Sequence, residues 1–304
     1  FFFAFSRGWH HDEMGWRGAG AAAVAALVAA LLGAFGLPAD DRWCAPTAPY
    51  SGIVFVVKTT GWYHQSRLQR VTAAWARAED CVVVATDGWE EPPPELAAAG
   101  TVVLEEFHRQ PYVPPWRRGG SEASSVRPED LPRLTHRVSK ALAQVAQSPV
   151  WPSTSFVIVV DDDTFVRVPE LVAFLAARDP SRPAMLGSAV DTSPFLRSPG
   201  GPPSAHCGGG SGVILSRGLV QQLIPVLPKC LAAQRTTLSW YWDEVELGRC
   251  AWEHLGVNCS DIGEALAMRI SEGSALDCAA VKQAYTIHPV VPATFDDIAR
   301  CLGA

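Results

Sequence analysis

A mostly parallel α/β sheet with flanking helices is the fold class that the sequence predicts, and two patterns predict it. The runs "IVFVV" at 53–57 and "CVVVA" at 81–85 are fully apolar, as expected of strands buried on both faces. The segment 66–78 between them has apolar residues at helical spacing. Because strands that alternate with helices need crossover connections, these patterns indicate a parallel, Rossmann-like sheet.

The rest of the chain continues this alternation and is interrupted by one long loop. The segment 110–133 holds five prolines together with glycine and serine, which favours a surface loop. Pro169 suits the first turn of a helix, where a backbone N–H is not needed. The further strands predicted are 101–104, 156–160 and 213–215, and the further helices are 134–146, 169–179 and 244–255.

The composition is that of a globular, mildly acidic protein. With 304 residues, the chain is long enough for one large domain or two small ones with a sizeable core. The net charge of −6 and the pI near 5.8, without a basic stripe, argue against nucleic acid as a partner.

The segment 18–37 contains no charged residue and is about as long as a helix that crosses a bilayer. We expect a signal anchor here, with a cleaved signal peptide and a buried alanine-rich helix as the alternatives. The expected division is a cytoplasmic tail at 1–17, a transmembrane helix at 18–37, a stem at 38–50 and a globular domain at 51–304. The first two interpretations place this domain in a lumen or outside the cell.

The eight cysteines indicate disulfide bonds. No two of them form a C-x-x-C pair, so a structural zinc site is not expected. Six lie after residue 200, and an even number fits pairing in an oxidising compartment, although their connectivity stays open.

The acidic triplet Asp161–Asp163 follows the apolar run "FVIVV" and so stands at the carboxyl end of a predicted strand. Ligands of open parallel sheets bind beyond such ends. Alternate carboxylates there can share a hard divalent cation, and the alternative is a helix cap or an acidic surface turn. The D-x-D-x-[TV] pattern of haloacid-dehalogenase-type phosphatases is excluded, because Phe165 occupies its fifth position.

Three later features are ambiguous by themselves. The glycines of "HCGGGSGVILSRGL", at 206–219, allow either close approach of the backbone to a ligand or a plain turn. Asp243 and Glu244 follow three aromatic residues, so this pair supplies either a general base beside a sugar-stacking surface or a charged helix start. His288, near an apolar segment, is by itself more typical of an ordinary core or surface histidine.

Taken together, these segments resemble the Fringe and core 1 β1,3-galactosyltransferase branch of the inverting β1,3-glycosyltransferases. The matching stretches occur in the family's order over residues 51–290. They are "FVVKTTGWYHQSRLQRVTAAW", "ATDG", "VDDDTFV" (similar to the family's version of the DxD motif), "CGGGSGVILSRGL" and "DEVELGRC".

The resemblance implies a single catalytic domain of the GT-A type at 51–304, a UDP-linked sugar donor and Mn²⁺ as the metal. It implies that the metal is held by Asp161, Asp163 and His288. The residues implied around the nucleotide are Lys58, Thr59, Arg67, Asp87, Asp161 and Asp162, with Gly209 and Gly210 from the glycine-rich element.

The resemblance also implies that Asp243 or Glu244 is the catalytic base. The family usually has aspartate second in this pair, whereas here glutamate is second, and we prefer Glu244 by its position. The implied protein is a type II Golgi membrane enzyme that transfers a hexose or an N-acetylhexosamine to a glycan or glycoprotein acceptor. The alternative is a relative without catalytic activity that acts as a lectin or a chaperone in the secretory pathway.

Overall fold

The computed structural model describes about half of the chain. The described residues are 52–59, 63, 67–75, 81–86, 102–105, 131–191, 205–232, 243–262, 267–269, 275–291 and 294–303. The chain divides into two compact units, Phe1–Asp41 and Arg42–Ala304, and every described residue belongs to the second. The predicted tail, transmembrane helix and stem, most of the proline-rich loop, and Asp87 lie outside the described residues. Among the helices that are described, none has the length and apolar character needed to cross a membrane.

A seven-stranded sheet is the centre of the fold, and two small sheets accompany it. The large sheet has the order β10-β6-β9-β4-β1-β2-β3, and all of its pairings are parallel except the two that β9 makes. The small sheets are β11-β12-β5 and β7-β8. In chain order the strands are β1 Ile53–Lys58, β2 Cys81–Thr86, β3 Val102–Glu105, β4 Phe156–Asp161, β5 Phe165–Val166, β6 Met185–Gly187, β7 Ala189–Asp191, β8 Ala205–Cys207, β9 Val213–Ser216, β10 Cys259–Asp261, β11 Ala267–Arg269 and β12 Thr286–His288.

Helices cover both faces of the large sheet. The described helices are α1 Gln69–Trp75, α2 Leu131–Val145, α3 Val168–Ala176, α4 Arg217–Leu223, α5 Leu227–Ala232, α6 Asp243–Leu255, α7 Cys278–Gln283 and α8 Thr294–Leu302. The predicted mostly parallel sheet with flanking helices is thereby confirmed.

The alternation of side chains along β1 explains why helices are needed on both faces. Val54 and Val56 belong to a core cluster with α2, α4, α5 and α6, whereas Phe55 and Val57 belong to a second cluster with α1 and α3. All four side chains are fully buried. Since burying one such side chain contributes about 1.5–3 kcal/mol, a strand of this composition is stable only between two apolar layers.

The predicted elements agree with the observed ones to within a few residues, with two exceptions. The strand β9 was expected from its sequence, but its antiparallel direction was not. The second exception is the set of three-residue strands such as β6 and β10, which are too short to show a periodic pattern. Both exceptions arise because direction and short pairings depend on tertiary contacts.

The predicted disulfides are confirmed. The bonds join Cys207 to Cys259, Cys230 to Cys250 and Cys278 to Cys301. The first connects β8 to β10, and the second connects α5 to α6. Cys81 is also disulfide-bonded.

Candidate active site

The carboxyl ends of β1 and β4 meet at one edge of the large sheet. Lys58 and Asp161, the last residues of these parallel strands, are direct partners in the register. Because β9 runs antiparallel to β4, its beginning lies at the same edge, and the glycine-rich turn Gly209–Ser211 directly precedes it. The sheet topology therefore brings three sequence motifs to one place.

The acidic triplet lies within a tight turn. The Thr164 N–H donates to the Asp161 carbonyl oxygen over 3.1 Å, which closes a turn across the triplet. The chain then enters β5, which pairs with β12 and so places His288 beside the triplet. The His288 Nε2 lies 3.1 Å from Asp163 Oδ1 and 3.9 Å from Asp161 Oδ2.

Asp161, Asp163 and His288 form a group that fits a divalent cation. One ligand atom from each residue lies within 4.8 Å of the others, and all three side chains are partly exposed. Two carboxylates suit hard ions such as Mn²⁺ and Mg²⁺, and an added imidazole suits transition metals. Gly210 is part of this fit, since a Cβ at that position would overlap the His288 imidazole.

Asp162 has a different environment from its two neighbours. Its carboxylate accepts a hydrogen bond of 2.6 Å from the Thr59 hydroxyl and lies 3.4 Å from the Arg67 guanidinium. Burial raises the pKa of Asp162 to about 7, although the Thr59 hydrogen bond opposes that rise. Arg67 also contacts Asp163, at 2.9 Å. The members of the triplet thus have different surroundings: Asp162 contacts Thr59, just after β1, and Arg67, just before α1, whereas Asp161 and Asp163 lie beside His288.

Lys58 connects the acidic triplet to the acidic pair. Its Nζ lies 2.8 Å from Asp161 Oδ1 and 3.1 Å from Glu244 Oε2. Burial alone would lower the pKa of Lys58, but these two carboxylates outweigh it and raise the pKa above its ordinary value. The pKa of Asp161 is lowered, because Lys58 and His288 outweigh the effect of its burial. The ammonium is therefore a permanent positive charge between the two acidic groups.

The two members of the acidic pair also differ. Asp243 is 1% exposed and lies 3.1 Å from the Arg137 Nη2, whereas Glu244 is 15% exposed. Burial raises the pKa of Asp243 to about 6, against the opposing effect of Arg137 and Lys58. Both begin α6, where acidic side chains interact favourably with the helix dipole. Of the two, Glu244 is the one that a substrate hydroxyl can reach.

The glycine-rich element packs against Glu244. A Cβ on Gly209 would lie 2.7 Å from the Glu244 carboxylate carbon, so a larger residue there would require the carboxylate to move. The Thr164 hydroxyl donates to the Gly210 carbonyl oxygen over 3.0 Å and joins this element to the acidic triplet. The backbone of the element is therefore fixed between the two acidic groups.

Two residues of this region were not predicted from the sequence. Arg137 falls on the same helical face as Ala141 and Val145, and a charged residue on an apolar stripe was the signal that could have identified it. His206, on β8, is a half-buried polar neighbour of Glu244, and its buried Nδ1 has no hydrogen-bond partner among the described residues. Burial lowers the pKa of His206 despite the nearby Glu244 carboxylate.

Sequence comparisons agree with this picture. The family model described as Fringe-like matches residues 131–265, which include the triplet, the glycine-rich element and the acidic pair. Chondroitin sulfate synthase 3 of Mus musculus is 32% identical over 101 residues, or 33% of this chain and 11% of the relative. Chondroitin sulfate glucuronyltransferase of Homo sapiens is 30% identical over 146 residues, or 45% of this chain and 17% of the relative. The chain thus spans less than a fifth of the length of these curated relatives.

Solved structures with some likeness to the chain include two glycosyltransferases. The bifunctional glycosyltransferase WbbM has a TM-score of 0.49 at 11% identity, covering 88% of this chain and 50% of its own. The galactosyltransferase LgtC has a TM-score of 0.43 at 12% identity, covering 82% of this chain and 95% of its own. Both TM-scores are below 0.5. Over residues 131–265 the chain is thus similar to the Fringe-like family, and parts of it are similar to the two chondroitin sulfate enzymes.

Proposed function

We propose that this domain is an inverting β1,3-glycosyltransferase that uses a UDP-sugar and Mn²⁺. It transfers a hexose or an N-acetylhexosamine to a hydroxyl group of a glycan acceptor. One observation carries the proposal: the metal-binding group Asp161, Asp163 and His288 lies next to a partly exposed carboxylate, Glu244, and Lys58 contacts both sides. A metal-diphosphate site and a base are the two parts that such a transfer requires.

The donor side of the proposed site consists of the metal-binding group and the cations around it. Asp161, Asp163 and His288 would hold the metal, which would neutralise the charge that develops on the departing UDP. Lys58 and Arg67 provide positive charge near the same carboxylates, and Arg67 also lies over the Tyr63 ring at 4.1 Å from its centroid. Arg67 is more exposed than Lys58, so it is the cation that a nucleotide reaches first.

The acceptor side depends on Glu244. Its carboxylate takes the proton from the acceptor hydroxyl while that oxygen attacks the anomeric carbon on the face opposite to the departing UDP. A single displacement inverts the configuration, so that an α-linked donor gives a β-linked product. Lys58, at 3.1 Å from Oε2, holds the carboxylate in place. Asp243 is excluded from this role by its burial against Arg137.

The choice of the β1,3 linkage is supported by the resemblance to the Fringe and core 1 branch and by the Fringe-like match. One of the similar proteins is a chondroitin sulfate glucuronyltransferase, so UDP-linked glucuronic acid is among the donors to be tested. We therefore propose a UDP-linked donor of the hexose class and leave its identity to a donor screen.

We also propose that the domain works in the lumen of the Golgi, as part of a type II membrane protein anchored by residues 18–37. Disulfide bonds persist in oxidising compartments, and the three bonds described above support such a location.

The test is a donor screen on the purified domain 38–304 with UDP-linked galactose, glucose, N-acetylglucosamine, N-acetylgalactosamine and glucuronic acid. We expect UDP release with at least one donor in the presence of Mn²⁺, and its loss with a chelator or in Asp163→Ala. Asp179→Ala, which changes an exposed aspartate after α3, is the matched control and should keep full activity. No release from any donor, together with glycan binding, would instead identify a lectin-like relative without catalytic activity.

A further inference from the structure

Arg137 joins the end of β1 to the beginning of α6. Its Nη1 donates to the Thr59 carbonyl oxygen over 2.7 Å, and its Nη2 lies 3.1 Å from Asp243 Oδ2. The Arg137 side chain is 10% exposed and that of Asp243 is 1% exposed. One guanidinium on α2 thus connects two segments that are 184 positions apart in the sequence.

Each contacted residue is the immediate neighbour of a residue in the proposed site. Thr59 follows Lys58, and Asp243 precedes Glu244. Lys58 and Glu244 are themselves in contact, at 3.1 Å. The planar fork of an arginine holds two partners at a fixed separation, which lysine cannot do because it has a single flexible ammonium. The contacts of Arg137 therefore fix the distance between the metal side and the base side.

A contribution to folding stability does not by itself explain the buried ion pair of Arg137 and Asp243. Taking two charges out of water costs about as much free energy as their attraction returns, and often more. The Asp243 Oδ1 has no hydrogen-bond partner among the described residues, so the pair is not fully satisfied either. A buried, incompletely satisfied ion pair is better explained by the placement of the groups on either side of it.

We propose that Arg137 and Asp243 are positioning residues that hold Glu244 at its working distance from the donor. The proposal rests on the proposed function, with Glu244 as the base. Neither residue touches the donor in this account, so their loss affects the chemical step and spares donor binding. A displacement of a reacting group by about 1 Å costs on the order of 100-fold in rate, which sets the size of the expected effect.

Helix α6, which begins at Asp243, also supplies a matched control. Arg249 forms a buried ion pair with Glu246 on α6, and its side chain is 10% exposed, the same fraction as Arg137. It also donates to the Cys230 carbonyl oxygen over 3.1 Å, so it likewise joins two elements. The contacts described for it, with Glu246, Glu253 and Cys230, involve no residue of the proposed site. Replacing either arginine removes a comparable buried pair, but only Arg137 is placed to affect Glu244.

The experiment compares Arg137→Met with Arg249→Met in the domain 38–304, using the donor identified by the screen. The readouts are kcat, the KM for the donor, the affinity for UDP with Mn²⁺, and the Tm. In Arg137→Met we expect kcat to fall about 30- to 100-fold, with UDP affinity within about threefold of the wild type. In Arg249→Met we expect a similar loss of Tm, with kcat within about threefold. Arg137→Lys, which keeps the charge without the fork, serves if Arg137→Met does not fold, and its kcat should fall about tenfold.

Four outcomes would overturn the inference. If both methionine variants lower kcat by the same factor, Arg137 has a purely structural role. If the Arg137 variants lose UDP affinity in step with kcat, Arg137 belongs to the donor site. If the wild type is active, Glu244→Gln is inactive and Arg137→Lys keeps full kcat, the positioning role fails while the proposed function stands. A wild-type domain that transfers no sugar overturns the proposed function, and this inference with it.

Discussion

The triplet at the end of β4 and the pair at the start of α6 both place consecutive carboxylates at one edge of the sheet. In each region one carboxylate is buried against an arginine: Asp162 beside Arg67, and Asp243 beside Arg137. Burial raises the pKa of both, to about 7 and about 6 respectively. The remaining carboxylates of the two regions are partly exposed.

The regions differ in what surrounds the exposed carboxylates. In the triplet, two of them converge with His288, which gives three ligand atoms for one cation. In the pair, a single carboxylate, Glu244, meets a single ammonium, that of Lys58. A group of three ligands suits metal binding, whereas a lone carboxylate suits proton transfer. Neighbouring acidic residues therefore have different roles. The exposed carboxylates are suited to chemistry, and the buried ones pair with arginines within the structure.

The largest effect that separates the regions is expected from Glu244→Gln. Loss of a general base costs about 10²- to 10⁴-fold in rate, and the glutamine keeps the shape of the side chain. We expect transfer to fall by this factor while UDP binding, measured by calorimetry, stays within about threefold, because Glu244 is not one of the metal-binding residues. Asp243→Asn should lose only about tenfold through displacement of its neighbour. The reverse order of the two variants would assign the base to Asp243.

The next effect concerns the two kinds of aspartate within the triplet. Asp163→Asn removes a charged ligand, so the affinity for Mn²⁺ should fall by more than about 100-fold, the upper range for loss of an outer partner. Asp162→Asn should keep Mn²⁺ affinity within about tenfold, because its carboxylate contacts Thr59 and Arg67 and is not part of the metal-binding group. Titration calorimetry with Mn²⁺ and UDP measures both. Equal losses in the two variants would contradict the division of the triplet.

The sequence patterns were sufficient to predict that the site residues come together at one edge of the sheet. They did not predict which of the carboxylates are buried and which are exposed. The apolar runs predicted β1 and β4, and parallel strands necessarily bring residues such as Lys58 and Asp161 to one edge. The burial of Asp162 and Asp243 was not predicted, because adjacent carboxylates look alike in a sequence. Arg137 was missed because its role depends on how α2 packs against α6, about a hundred residues further along the chain.

A smaller effect tests the glycine-rich element. In Gly210→Ala the new methyl group would overlap the His288 imidazole and displace it, so Mn²⁺ affinity should fall about 10- to 100-fold. Gly208→Ala is the control, since its Cβ would make only ordinary contacts, 3.4 Å from Val190 and 3.7 Å from the Ser188 carbonyl oxygen. Its affinity should match that of the wild type. Equal Mn²⁺ affinities in the two alanine variants would show that His288 is not held by Gly210.

The last effect is on the pH dependence of stability and concerns Asp243. Its pKa rises from the ordinary value of 3.8 to about 6 on folding, so between these values the folded state binds more protons than the unfolded state. The contribution of this carboxyl to stability therefore decreases as the pH rises from about 4 to about 6, by up to about 3 kcal/mol. Asp243→Asn removes this titration.

The measurement is the free energy of unfolding in urea for both proteins, at several pH values from 4 to 7 and without metal. The wild type should become less stable relative to Asp243→Asn as the pH rises, because other titrating groups are common to both proteins and cancel in the difference. A difference that is independent of pH would mean that Asp243 stays ionised throughout this range. The ion pair with Arg137 would then outweigh burial, and the contrast drawn between Asp243 and Glu244 would depend on access alone.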